Sequence, residues 1–270
     1  MRYDGHAAWI TGGGTGIGRA LALELARQGA DVAVSGRRAD KIEAVAAEIE
    51  ALGRRGLAVP CDVTDEGSIE RAVAAVVDAF GKLDVVVANA GFAVAGSIES
   101  LDADAWRRQL DVNVVGAAIT AKHALPELRK TKGRLGLVGS VSAFVPVSKI
   151  GAYAASKYAV RAIAQTLAIE VAGTGVSCTG IHPGFVESDI NDVDNENRPK
   201  GEGKDTRPQQ LMWKAEDAAK VIAKGLYKRK TELVFTGHGK IAAALGRHVP
   251  GLVVAVQRQN RLRRKKKRRG

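Results

Sequence analysis

The sequence predicts one α/β domain built on a doubly wound, seven-stranded parallel sheet with helices on both faces. Three observations carry that prediction. Seven short apolar runs alternate with stretches of helical periodicity along the 270 residues. The runs are continuous rather than alternating, as strands covered on both faces require. The first run enters a glycine-rich turn that opens directly into a helical pattern. The length suits a single large α/β domain, and no internal repeat is present.

The elements follow in order. Residues 7–10 form the first expected strand. The turn after it holds Gly12, Gly14, Thr15, Gly16, Ile17 and Gly18. Residues 19–28 then place Leu21 with Leu25 and Ala22 with Ala26 at helical spacing. Gly12 permits a tight turn; Gly16 and Gly18 let the backbone and helix approach a pyrophosphate, whose charge a helix N-terminus favours. The alternative reading is an ordinary flexible loop, against which the flanking strand and helix argue. The remaining strands are expected at 31–35, 56–61, 83–88, 134–139, 176–181 and 232–235. The longest helical patterns cover 103–130 and 153–172.

Tyr153 and Lys157 stand four residues apart, hence on one face of a helix. An ammonium beside a phenol favours the phenolate, so such a tyrosine can exchange a proton near neutral pH. Tyr153 is the candidate general acid/base and Lys157 its tuning group. Two such residues also occur as a surface tyrosine above a solvated lysine, so the pair needs company. Ser140 lies thirteen positions upstream.

Taken together, Thr11 to Gly18 as TGxxxGxG and Tyr153 to Lys157 as YxxxK resemble the short-chain dehydrogenase/reductase family. The resemblance is to its shorter, single-domain, Rossmann-type form and covers residues 5–240. It implies an oxidoreductase acting on a carbonyl or alcohol substrate. It further implies that Asn89, Ala90 and Gly91 stabilise the central strand and line the cofactor, and that Asp62 and Val63 lie beside the adenine. Pro183 and Gly184, with Val186 and Ser188 after them, would meet the nicotinamide. Ser140 would hydrogen-bond the substrate oxygen, Lys157 would hold the nicotinamide ribose, and Asn113 would hold a water that links Lys157 to solvent. Ser142 competes with Ser140; the family's spacing favours Ser140. Asp62 is equally a cap for the turn that follows it, and Asn113 equally a helix residue bonding backbone.

The end of the second strand reads on cofactor choice. An acidic residue there would bond a ribose 2′-hydroxyl. The sequence instead runs Ser35-Gly36-Arg37-Arg38. Guanidinium forks suit a phosphate, so NADP(H) is the expected cofactor. The plain alternative is two exposed arginines starting a helix.

Two rival functions stay open: a non-catalytic NADP(H)-binding sensor of the same fold, and an epimerase or dehydratase of the related extended type. Retention of both Tyr153 and Lys157 argues against the first, and the glycine spacing and chain length against the second. Cys61 and Cys178 fall in expected strands, with no neighbour at metal-ligand spacing, and no metal site is expected. His182 either borders the site or packs in a loop. Phe92, Val94 and Phe144 hint at an apolar substrate pocket. The polar stretch 188–212 is expected to act as a mobile lid, with Met212 and Trp213 closing over substrate or Trp213 packing in the core.

The net charge of +12 is local. Residues 258–270 hold nine basic side chains and no acid; without them, 32 basic residues face 29 acidic ones, a net of +3. Residues 1–240 thus form the NADP-binding catalytic domain, 241–257 an apolar C-terminal segment, and 258–270 a polybasic tail expected to be disordered when unbound. The apolar segment, broken by Arg247, His248 and Pro250, is too short to span a bilayer. Beside the basic cluster it suits an anionic membrane surface. A solvated tail is the second reading, and nucleic acid the third, since no aromatics are interleaved. The chain lacks an apolar leader, which leads to an expected cytoplasmic location, peripheral at a membrane in the first reading. The resemblance also implies a homo-oligomer paired through the two longest helices.

Overall fold

The structure is a computed structural model that describes residues 1–188 and 208–267. Its strands are β1 (Ala7–Thr11), β2 (Asp31–Gly36), β3 (Gly56–Pro60), β4 (Val85–Ala88), β5 (Arg134–Val138), β6 (Ser177–His182) and β7 (Glu232–Val234). The helices are α1 (Gly16–Arg27), α2 (Ala39–Ala51), α3 (Glu66–Phe80), α4 (Ala103–Leu110), α5 (Gly116–Thr131), α6 (Gly151–Glu170), α7 (Ala215–Tyr227), α8 (Gly237–His248) and α9 (Pro250–Lys267). All seven expected strands are present, with ends shifted by one or two residues.

The strands pair in the order β3-β2-β1-β4-β5-β6-β7, and every pairing is parallel. The order reverses between β1 and β4, which opens a crevice at the carboxyl ends of those strands. One face of the sheet packs on α1, α2 and α7 through Leu21, Ile42, Ile222 and Leu226. The other packs on α3, α5 and α6 through Ile69, Val76, Leu128 and Val160. This two-sided burial is why the apolar runs lack alternation. Polar anchors are few: Trp9 Nε1 donates to Ser35 Oγ at 2.8 Å, and the Tyr3 hydroxyl donates to the Ala223 carbonyl at 2.7 Å, tying the N-terminus to α7.

Helix starts follow local chemistry. The Asp65 carboxylate accepts from the Gly67 N–H at α3, and Asp102 accepts from the Ala105 N–H at α4. Gly81, at φ +76°, ends α3 in the left-handed region.

One expectation changes here. The long helix expected over 103–130 is divided by a π-turn, Asp111–Val115, between α4 and α5. Periodicity does not register one inserted residue, because the apolar stripe resumes beyond it. α9 runs as far as Lys267, into the polybasic stretch expected to be disordered when unbound. Arginine, lysine, leucine and glutamine are good helix formers, and Pro250 at the first position starts the helix. No single helix among the described residues is long and apolar enough to cross a membrane. On the outer sides of the two helices expected to pair between subunits, Val115, Tyr158 and Ile169 are exposed.

Candidate active site

Six expected motifs leave the carboxyl ends of six parallel strands, and the sheet brings them to one rim. The glycine turn follows β1, Arg37 follows β2, Asp62 follows β3, Asn89 follows β4, Ser140 follows β5 and Pro183 follows β6.

The turn after β1 fits a dinucleotide phosphate. Gly12 adopts φ +63°, and a Cβ there would stand 2.8 Å from the Ala90 Cα. A Cβ on Gly18 would stand 2.2 Å from the Gly12 carbonyl oxygen. Only glycine lets these three segments close up. Thr15 caps α1 in an extended conformation with no side-chain capping bond, and the first turn of α1 has no acid. Those N–H groups and the positive end of the helix therefore remain for an anion. Ile17 anchors the helix start against the core, and Gly14 lies over Lys41.

Asn89 holds the turn from the other side. Its amide donates to the carbonyls of Thr11 and Gly12 at 3.0 and 2.9 Å. The Thr11 hydroxyl accepts from the N–H groups of Asn89 and Ala90, both at 3.1 Å. Asp62 caps its own turn, accepting from the Thr64 N–H and hydroxyl at 3.0 and 2.8 Å, and Val63 is buried. Arg37 and Arg38 are exposed, and neither forms an ion pair with another described residue.

The residues expected to handle a proton assemble between β4, β5 and α6. Tyr153 stands half-buried in the first turn of α6. Lys157, one turn on, is buried; its ammonium donates to the Val138 carbonyl at 2.9 Å and lies 5.6 Å from the Tyr153 ring centre. Burial pushes the Lys157 ammonium down to about 8. A Cβ on Gly91 would lie 3.6 Å from that ammonium and 3.0 Å from Asn113 Oδ1, so glycine is needed for the approach. The Ser140 hydroxyl accepts from the Ser142 N–H at 3.1 Å, which leaves its proton free to donate. Ser142 thus serves Ser140 through its backbone.

Asn113 sits in the π-turn with its amide fully engaged. Oδ1 accepts from the Phe92 N–H at 3.1 Å; Nδ2 donates to the Phe92 carbonyl at 3.1 Å and to Ser156 Oγ at 3.0 Å. Ser156 in turn donates to the Tyr153 carbonyl at 2.7 Å. Asn113 therefore locks the Asn89–Phe92 segment onto α6, around Lys157. Asn113→Ala would strand the buried Phe92 N–H, at about 1–3 kcal/mol, and remove the bonds to Ser156 and to the Phe92 carbonyl, which keeps Gln109, at about 0.5–1.5 kcal/mol each. The expected result is a loss of about 2–4 kcal/mol in urea unfolding; a change below about 1 kcal/mol would contradict the buried network.

The stretch after β6 is held from two directions. The Val141 N–H donates to the Pro183 carbonyl at 2.8 Å, and the Phe185 N–H donates to His238 Nε2 at 3.0 Å. Val186 is buried and bridges to Trp213 in parallel. Ser188 ends the described stretch. His182 is buried under Phe144, edge to face at 5.1 Å. Burial, then the charges of Arg161, Lys157 and Arg247, push its imidazole down to about 3, so it stays neutral. It packs beneath the site and does not open into it.

Other expectations need correction or completion. Phe92 and Val94 belong to a small core with Ala105, and Phe144 to another with Ala143 and Ala243; none lines an open pocket. Their position at strand ends suggested a pocket, but α4 and α8 cover them. Trp213 packs on Phe235 at 5.8 Å and on the main core, as the alternative reading had it. Most of the expected lid, residues 189–207, lies outside the described residues. Sequence reasoning missed Gln109, Ser156 and His238 as supports. Gln109 accepts from the Val94 N–H at 2.6 Å and donates to the Phe92 carbonyl at 2.9 Å. Its place four residues before Asn113 was a usable signal; His238 left none.

Fold and crevice together define a doubly wound α/β protein of the dinucleotide-binding class. Comparison with known proteins narrows this. The family model for short chain dehydrogenase matches residues 6–199, and the chain belongs to that family. An uncharacterized oxidoreductase of Myxococcus xanthus is 33% identical over 247 residues, 91% of this chain and 93% of the relative. Among solved structures, a short chain dehydrogenase from Burkholderia cenocepacia in complex with NADP is 35% identical, with a TM-score of 0.79, covering 89% of this chain and all of the other. A short chain dehydrogenase/reductase from Burkholderia phymatum in complex with NAD is 26% identical, with a TM-score of 0.80, covering 90% and 92%.

Proposed function

We propose that the protein is an NADP(H)-dependent oxidoreductase that interconverts a carbonyl and an alcohol on an apolar, lipid-like substrate. The observation that carries this reading is the convergence of Tyr153, Lys157 and Ser140 on the rim that also holds the glycine turn. A nicotinamide cofactor, when bound, supplies the hydride. In reduction, Tyr153 delivers a proton to the substrate oxygen, and Ser140 steadies that oxygen with its free hydroxyl proton. Lys157 keeps positive charge beside the phenol and favours the phenolate left behind. Asn113 supports any relay by position, its amide being committed to Phe92 and Ser156.

Arg37 and Arg38 support a 2′-phosphate as the feature recognised, and the NADP bound by the 35%-identical Burkholderia cenocepacia relative agrees with it. Each charged hydrogen bond to a phosphate contributes about 1.5–3 kcal/mol. Changing both arginines to alanine should therefore raise KM for NADPH at least about 100-fold while leaving KM for NADH nearly unchanged. Parallel steady-state assays with the two cofactors test this. A wild-type preference for NADH would overturn the assignment. The reaction itself is tested by following NADPH oxidation over aldehydes, ketones, steroids and long-chain 3-keto lipids.

A further inference from the structure

We propose that the bent α8–α9 pair is a docking surface for an anionic lipid membrane. The helix direction bends by 116° between α8 and α9. Along them six large apolar side chains stand in solvent: Ile241, Leu245, Val249, Leu252, Val254 and Val256, between 39% and 65% exposed. Scattered apolar residues on a surface are ordinary; six within sixteen positions are not. Arg258 and Arg261 follow on α9, both exposed. From Gly237 to Gly270 the sequence has no acidic residue at all, and nine of its last thirteen are basic.

Charge alone would attract any polyanion. The apolar row is what selects lipid, because a nucleic acid backbone offers nothing in which Leu252 and Val256 could bury. Neither helix alone is long and apolar enough to cross a bilayer; lying in the interface, the pair would place Ile241 and Leu245 of α8 and Leu252 and Val256 of α9, each pair on one helix face, among acyl chains, and Arg258 and Arg261 at headgroups.

The surface is fixed to the domain through α8. Arg247 of α8 pairs with Glu232 of β7 and lies 4.8 Å from the centre of the Phe144 ring, which also meets Arg161 at 4.3 Å. Ala243 packs on Phe144, and Gly246 passes so close to the Phe144 carbonyl that a Cβ would stand 2.2 Å away. His238 holds the Phe185 N–H. α8 thus sits on the segments that follow Ser140 and Pro183, and docking would turn that rim of the crevice to the bilayer. The docking itself does not depend on the reaction proposed above.

The test uses the full chain and sedimentation with vesicles, either of phosphatidylcholine alone or with about one third phosphatidylserine. Binding to the anionic vesicles, weak binding to the neutral ones, and weakening with salt are expected. The double variant Leu252→Gln, Val256→Gln keeps every charge. It should lose at least about tenfold in vesicle affinity yet keep any affinity for a DNA duplex, and its cofactor binding should match wild type. Wild type that ignores anionic vesicles would overturn the proposal. So would a double variant that binds them as well as wild type does, or one whose oligomeric state changes while vesicle binding does not. A DNA duplex that displaces the vesicles completely at equal charge would transfer the surface to nucleic acid.

Discussion

Tyr153→Phe is expected to lower turnover by about 10²–10⁴-fold, the usual contribution of a positioned general acid. NADPH affinity should stay within about twofold, because only a hydroxyl is removed. The ring keeps its place in the first turn of α6, Ser156 still donates to the Tyr153 carbonyl, and Lys157 still reaches Val138. Single-turnover reduction combined with cofactor fluorescence separates the two quantities. If the variant reduces substrate at the wild-type rate, Tyr153 is not the proton donor. If a cellular phenotype survives the change while turnover disappears, a cofactor-binding sensor becomes the better reading of this chain.

The second large effect is expected at Lys157, in turnover and in stability together. Loss of the ammonium in Lys157→Met should cut turnover by about 10²–10⁴-fold, since the phenolate would form without a neighbouring charge. Stability moves the other way. The folded ammonium titrates at about 8 against an ordinary 10.5 because it is buried. Below pH 8 both folded and unfolded chains hold the proton, and the folded state bears the whole desolvation cost. Between 8 and 10.5 the unfolded chain holds a proton that the folded one has shed, so wild-type stability rises with pH through that window. The rise amounts to about 3 kcal/mol. Lys157→Met has no such titration. Urea unfolding of both proteins across the window should show wild type gaining on the variant, and a constant difference would mean that Lys157 is not held desolvated. The site therefore keeps its charged group against the preference of the fold, a common cost of function.

Much of this site was legible because its parts are local. A glycine turn between a strand and a helix, a tyrosine and lysine one turn apart, and a serine after a strand are each short-range patterns. The parallel sheet then does the long-range work: every crossover returns the chain in the same direction, so strand ends collect on one edge. The π-turn was not legible, because one extra residue leaves the apolar stripe nearly intact. The expected pocket of Phe92, Val94 and Phe144 failed for a different reason. An apolar residue at a strand end looks the same in sequence whether a helix or a substrate covers it. Only the placement of α4 and α8 distinguishes the two.

The sequence by itself determined the fold class, the strand set, the glycine turn and the Tyr153–Lys157 pair, because each rests on hydrophobic period or on residues within one or two turns of one another. The tertiary structure alone decided the rest. It showed that Asn113 braces Phe92 and Ser156, that His182 is buried and neutral, that Trp213 is a core contact, and that α8 is pinned beside the turn after Ser140 with Ile241 and Leu245 outward. Those properties depend on which distant segments exclude water from a group, and burial of that kind is created only when the elements pack.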